Sequence, residues 1–453
     1  MTGRGFAPKF PRAGRLVRPA RYSLCAAALA AAAAFVPATS AAAATRSSGF
    51  GQQVGGQSIG EFYAAHDGQP LWLRDGVDAT KLLDYLRTAD ADGLDPASYH
   101  IDQLSQAMGA AWGGSPGRVR EADMMLSQAF VAYVRDLKRT PQANIVWVDA
   151  ELKPRIQTPF EILEAAAEAP SLDAYLADMR FMNPIYAGLR QAIARGEGGS
   201  NEHVLRLNLE RARALPSGSA RYIIVNAADA RLTAYENGEA VDSMRVVVGK
   251  AKNPTPMMAA KIRYASLNPY WYVPPDLAAE RIAPNVVKEG LPYLKAHGYQ
   301  VMSSGWTDSA TMVDPAAIDW KAVADGTKEV WIRQLPGPGN SMGTMKFMFP
   351  NAQGVYLHDT PQKELLTEAS RLFSGGCVRL EDAARLGQWL FGKPLAATSD
   401  QAEQRVDLPV PVPVYITYLT VVPSGTELAT YPDVYGRDGE SLALAGAGVT
   451  ATR

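Results

Sequence analysis

Cysteine is nearly absent from this chain of 453 residues, which has two, Cys25 and Cys377. An exported protein stabilised by disulfides would carry cysteines in pairs, so a disulfide framework is excluded. A zinc site built from a cysteine cluster is excluded by the same count. Positive charge is not in excess either: 45 Lys and Arg stand against 46 Asp and Glu, a net charge of −1, which argues against a nucleic-acid partner. Past the N-terminal segment no stretch approaches the roughly 20 apolar residues that a membrane span needs. What remains, 47% hydrophobic and 20% charged, is a globular composition long enough for two or three cores.

The first residues depart from that average. Arg4, Lys9, Arg12, Arg15, Arg18 and Arg21 precede "LCAAALAAAAAFVPATSAAAA", a basic segment, an apolar segment and several A-x-A-like cleavage points. Residues 1–44 therefore read as a signal peptide; the run is Ala-rich, short and broken by Pro37, which weakens the competing reading of a retained anchor. Cleavage would remove six basic side chains and no acidic one, taking the net charge from −1 to −7. One thiol, Cys377, would then remain in an oxidising compartment, either inert in a core or kept for its reactivity.

The pattern of the rest is α+β. Residues 58–195 place apolar side chains at helical spacing, as in "ATKLLDYLRTADADGLD" and "EADMMLSQAFVAYVRDLKR". "ARGEGGSNE", residues 194–202, is a hinge, and "VLRLNLERARALP" one more helix. From residue 219 the period becomes two, with Asn237-Gly238 as a hairpin turn. The β-rich region, 204–430, is interrupted by a more helical insertion at 276–325; "VPVYITYLTVVP" reads as its last strand and 431–453 as a tail.

Chemistry concentrates late in the chain. In "GVYLHDT" alternation puts Tyr356, His358 and Thr360 on one face and Asp359 on the other, so a backbone carbonyl rather than Asp359 should orient the imidazole. Nineteen residues on, "FSGGCVRL" carries Cys377 on a glycine turn, and the helix expected to follow it directly would favour the thiolate. A cysteine nucleophile needs a base and donors aimed at the developing oxyanion. Taken singly, a strand histidine or a Gly-Gly-Cys turn is more often structural; together in one short region they point to a site.

"YLHDTP" followed by "FSGGCVRL" resembles the His and Ser-x-Gly-Cys-x-Arg signatures of L,D-transpeptidases with a YkuD-type catalytic domain, cysteine enzymes that form 3-3 peptidoglycan cross-links. The resemblance extends through "VVVGKAKNPTP", "NPYWYVPPDLA" and "PGPGNSMGTMKFMFPN", over residues 204–392, while "PLWLRDG" and "ADADGLDPASYH" are similar to the helical scaffold domain of large Gram-negative members. It implies Cys377 as nucleophile, His358 as base, and the Gly376 and Cys377 N–H groups as oxyanion hole. It implies that Ser374 steadies the turn or lines the site and that Arg379 holds the loop or meets a substrate carboxylate. Tyr356 and Trp271 would line the cleft, with core packing as the competing role. It further implies a periplasmic location, peptidoglycan stem peptides as donor and acceptor, β-lactams of carbapenem type as inhibitors, and no metal or cofactor. The insertion corresponds to the capping subdomain of those relatives, while the peptidoglycan-binding module many of them carry has no counterpart here beyond the hinge. A hydrolase of the same fold, an L,D-carboxypeptidase for instance, and a non-catalytic cell-wall binding protein are the alternatives.

Overall fold

The computed structural model describes residues 58–439 apart from 75, 76, 142, 219, 306 and 308. The expected signal peptide and residues 440–453 lie outside the described residues. Among those described, no helix is long and apolar enough to cross a membrane.

The N-terminal half is helical, as its periodicity predicts, and is organised around the 22-residue helix Pro116–Leu137. Its Asp123, fully buried, accepts hydrogen bonds from the N–H groups of Leu71, Trp72 and Leu73 at 2.8, 2.8 and 2.9 Å. The "PLWLRDG" segment is thus pinned by one carboxylate, which satisfies three backbone donors that have no helix or strand neighbour. Asp92, of "ADADGLD", accepts from the Tyr133 and Tyr186 hydroxyls at 2.7 and 2.9 Å and pairs with Arg190.

Fifteen strands are described: β1 (Val146–Trp147), β2 (Tyr222–Asn226), β3 (Arg231–Glu236), β4 (Glu239–Gly249), β5 (Met258–Leu267), β6 (Trp271–Val273), β7 (Tyr299–Met302), β8 (Trp331–Gln334), β9 (Met345–Met348), β10 (Leu357–His358), β11 (Leu372–Ser374), β12 (Val378–Leu380), β13 (Gln404–Thr417), β14 (Val421–Ser424) and β15 (Glu427–Thr430). β5, β13, β2, β3, β4, β12, β10 and β9 are paired in that order, and β9 returns to β5, so the sheet closes on itself. Closure removes exposed edges. The turn between β3 and β4 has Asn237 and Gly238 at φ 52° and 81°, as the Asn-Gly pair predicts.

Alternation decides which core each residue joins. Ile223 and Val225 of β2 lie inside the ring, whereas Tyr222 and Ile224 face outward and pack with the helices. Both faces of β2 are buried, which is why "YIIV" reads as an unbroken apolar run. The helix Glu202–Ala212 contributes Leu205, Leu209 and Ala212 to the same helical core, so by packing it belongs with the helices rather than with the β-region that follows it.

Three expectations need correction. "VPVYITYLTVVP" is not one strand: β13 ends at Thr417 and a separate β14–β15 hairpin follows. Between them Asn226 bonds both backbone groups of Leu419, and Asn208 takes the Thr420 N–H at 2.8 Å, so side-chain amides replace strand partners there. The segment from 431 is no loose tail as far as it is described: Tyr435 stacks on Tyr418 and donates to the Gly249 carbonyl at 2.7 Å, and Asp438 pairs with buried Arg211. The insertion is wider than 276–325. Its own apolar core runs from Trp271 to Met342, built on the β6–β8–β7 sheet and helices such as Ala283–Glu289.

Candidate active site

β10 and β12 run parallel, with Leu357 opposite Val378 and His358 opposite Arg379. Leu357, Val378 and Leu380 point into the ring core. By the two-residue period, Tyr356, His358, Cys377 and Arg379 therefore share the opposite face. Nineteen residues of separation are closed by a 3₁₀ turn, Lys363–Leu366, and by β11.

His358 is 1% exposed, and its Nδ1 lies 2.5 Å from the Asp359 carbonyl. A carbonyl only accepts, so Nδ1 carries the proton and Nε2 keeps its lone pair. The Asp359 side chain turns away, as alternation predicts, to Thr344 and Lys363. Burial, reinforced by the nearby Arg379 charge, lowers the imidazole pKa to about 3. His358 is thus neutral at physiological pH.

No helix starts at Cys377. β12 follows it and the helix begins only at Ala383, because "VRL" completes the sheet between β10 and β4. The expected helix-terminus stabilisation of a thiolate is therefore missing. Burial raises the Cys377 pKa, opposed by hydrogen bonding to Tyr356 and by the Arg379 charge. The sulfur is half-buried and directed to the Gly354 carbonyl, 3.6 Å away, rather than hydrogen-bonded to His358.

The turn that presents the thiol is held on both sides. Ser374, 2% exposed, donates to the Cys377 carbonyl at 2.6 Å and accepts from the Gly376 N–H at 3.0 Å. It steadies the turn and is not a cleft-lining residue. The same bond commits the Gly376 N–H, so the expected oxyanion pair is reduced to the Cys377 N–H in this arrangement. On the other side Thr255, fully buried, donates to the Gly376 carbonyl at 2.8 Å and accepts from the Gly249 N–H at 2.9 Å. Sequence reasoning missed Thr255; its one signal was its place in "KNPTP". Gly376 has φ +121°, a conformation that excludes most other residues.

Tyr356 is half-buried between the ring core and the insertion's core, its ring 5.8 Å from the His358 ring. Trp271 does not line the cleft: it is 7% exposed and packs within the insertion's core, because the β6–β8 pairing turns it inward. Arg379, also 7% exposed, donates to Gln362 at 2.8 Å. A short segment of the insertion reaches the cysteine turn and the chain that follows β4. Glu280 pairs with Lys250 and Lys252 at 3.1 and 2.8 Å, and Leu277 lies against Gly375, where an added Cβ would stand 3.1 Å from Leu277 Cδ1.

Among the described residues no group of three or more His, Cys, Asp and Glu side chains is placed to hold a metal ion. A cavity of about 480 Å³ lies between the helices and β13, lined by Lys138, Arg155, Phe181 and Tyr415 among others, and none of the candidate residues lines it.

Residues 220–412 match the L,D-transpeptidase catalytic domain of the YkuD family, and residues 57–193 match the Scaffold domain family. The chain carries a YkuD-type L,D-transpeptidase catalytic domain preceded by a scaffold domain. A curated relative from Haemophilus influenzae, named "Putative L,D-transpeptidase", is 26% identical over an alignment of 396 residues, and the match covers 84% of this chain and 78% of that one. Among solved structures, an L,D-transpeptidase from Mycobacterium smegmatis is 14% identical with TM-score 0.22, over 44% of this chain and 59% of that one. The L,D-transpeptidase LdtMt1 in complex with imipenem is 14% identical with TM-score 0.21, over the same 44% and 59%. The Ldtfm-avibactam carbamoyl enzyme is 13% identical with TM-score 0.21, over 45% and 50%. Overlaps that small carry no argument about this chain.

Proposed function

We propose that this protein is an exported, periplasmic cysteine L,D-transpeptidase that forms 3-3 peptidoglycan cross-links through a thioester on Cys377. The observation that carries the reading is the shared face of Tyr356, His358, Cys377 and Arg379, with Nδ1 anchored on a carbonyl so that Nε2 is the free base.

The resting pair is neutral, so proton transfer accompanies attack. The thiol turns from the Gly354 carbonyl toward Nε2, which takes its proton as sulfur adds to the carbonyl of the third residue of a donor tetrapeptide stem. The Cys377 N–H donates to the oxyanion. Collapse expels D-Ala, whose nitrogen takes the proton from Nε2, and leaves the thioester. A side-chain amine of a second stem then attacks and gives its proton to Nε2. The new amide forms, the C–S bond breaks, and the thiol recovers its proton. These steps need no metal or cofactor. The insertion acts as a lid that limits water, which favours amine over hydrolysis. Carbapenems, as strained acyl donors, would acylate the same sulfur.

Mass analysis of mature protein with a tetrapeptide donor and an amine acceptor tests this. Expected are a transfer product, release of D-Ala, and an acyl or carbapenem adduct of one equivalent that Cys377→Ala lacks. An active Cys377→Ala variant would overturn the mechanism. Tripeptide as the sole product at saturating acceptor would replace transferase with carboxypeptidase.

A further inference from the structure

We propose that the cavity at the seam between the helices and β13 is a binding site for a small organic anion, one with a carboxylate or phosphate head and an apolar body. The proposal goes beyond the transpeptidase reading and does not depend on it.

The cavity holds about 480 Å³, within the range of small-molecule sites. Its walls come from the chain that leaves the helix Pro116–Leu137, from residues 151–157, from Tyr175 and the turn after it, from residues 213–218 and from β13. Its polar side chains are left without the partners that Asp92 and Asp123 have. Lys138 donates to Ser217 Oγ at 3.2 Å and has no carboxylate within ion-pair distance among the described residues. Tyr175 and Tyr415 are buried and line the same cavity, and among the described residues neither hydroxyl has a hydrogen-bond partner; nor does the Gln157 amide. Exposed Lys153 adds a second ammonium without a carboxylate.

The neighbouring acids are committed elsewhere. Glu161 pairs with Arg155, Asp178 with Arg180, Glu210 with Arg139 and Arg213, and Glu151 with Lys261. Burial and the Arg155 charge lower the Lys138 pKa to about 8, so the amine is still an ammonium at neutral pH. Burial alone raises the pKa of both phenols, which keeps them protonated and able to donate. An ammonium, two phenols and an amide N–H group thus offer donors around one space, and a half-buried cation facing a second cation is unfavourable until an anion joins it. A carboxylate or phosphate head satisfies that donor set. Buried Ile162, Phe181 and Leu215 supply apolar wall for the rest of the molecule. Because helices and β13 both contribute, an occupant would touch the two halves at once.

Reductive methylation of the full-length mature protein, read lysine by lysine from peptide masses, tests the site. In chloride, Lys138 should react with a pH midpoint near 8. Phenyl phosphate or benzoate, at matched ionic strength, should raise that midpoint by about one unit and so slow Lys138 about tenfold at neutral pH, whereas neutral benzamide should not, and exposed Lys288 should keep its rate. Protection by one anion alone identifies the head that the site takes; protection by both means that it takes either. No protection of Lys138 by either anion, or equal slowing of Lys138 and Lys288, overturns the proposal. Replacing both phenols, Tyr175→Phe with Tyr415→Phe, should raise the anion concentration for half-protection about three- to tenfold or more. An unchanged value in that variant, with the thermal midpoint preserved, would put the anion outside the cavity and overturn the site; should the variant fail to fold, the wild-type comparison still decides.

Discussion

The helical half and the cysteine face both bury charged groups, and they treat them in opposite ways. Asp123 is surrounded by three backbone N–H donors and the Tyr63 hydroxyl, and Asp92 by two tyrosines and Arg190. Arg379 has a buried nitrogen without a partner, His358 is held neutral, and the Cys377 thiol is pushed above its usual pKa. The first arrangement is a finished network that fixes a fold. The second is unfinished in the way a site awaiting substrate is.

If that contrast is right, variants at the cysteine face should alter reaction more than fold, and variants at Asp123 the reverse. The largest effect is expected at His358. His358→Gln should lower acyl transfer by about 10²–10⁴-fold, measured as kcat/KM with a defined tetrapeptide; a loss below tenfold would make His358 structural. The same variant carries a stability signature. The unfolded imidazole binds a proton near pH 6.5, whereas the folded one stays neutral down to about 3. Below pH 6.5 the unfolded state therefore holds one more proton, and wild-type stability should fall as pH drops toward 3, at up to about 1.4 kcal/mol per unit. Urea midpoints of His358→Gln should lack that contribution.

Asp123→Ala comes next. It strands three buried N–H groups, and should cost about 3–5 kcal/mol in urea unfolding while leaving the iodoacetamide rate of Cys377 in the folded protein unchanged. A cost below about 1 kcal/mol would erase the contrast. The smallest effect is expected from Tyr356→Phe. It removes a hydroxyl that favours the thiolate, so the Cys377 pKa should rise further and the alkylation rate at fixed pH fall about three- to tenfold; a faster rate would show that the hydroxyl stabilises the thiol instead.

Local pattern was enough for several features. Two-residue alternation in "GVYLHDT" placed His358 opposite the Asp359 side chain, and the structure has the backbone carbonyl as its partner. Asn-Gly marked the β3–β4 turn, and the period change near residue 219 marked where helices give way to strands. These depend on neighbours a few residues apart, which a sequence displays directly. Glycine spacing suggested that the turn at 374–377 is tight, and the serine expected to steady it does so.

What the sequence could not display were contacts across long loops. Whether "VRL" after Cys377 continues as helix or strand depends on a vacancy between β10 and β4, so the helix-dipole argument failed and burial sets the thiol's pKa instead. Trp271 looked equally suited to a cleft or a core, and its pairing through β6 and β8 put it in the core. Gly376 offered an N–H that only the folded turn assigns to Ser374, and Thr255 reaches the carbonyl of the same residue from 121 residues away. Residue type and period specify which face a side chain takes; which partner stands opposite that face is chosen by chain closure, and that information exists only in the packed structure.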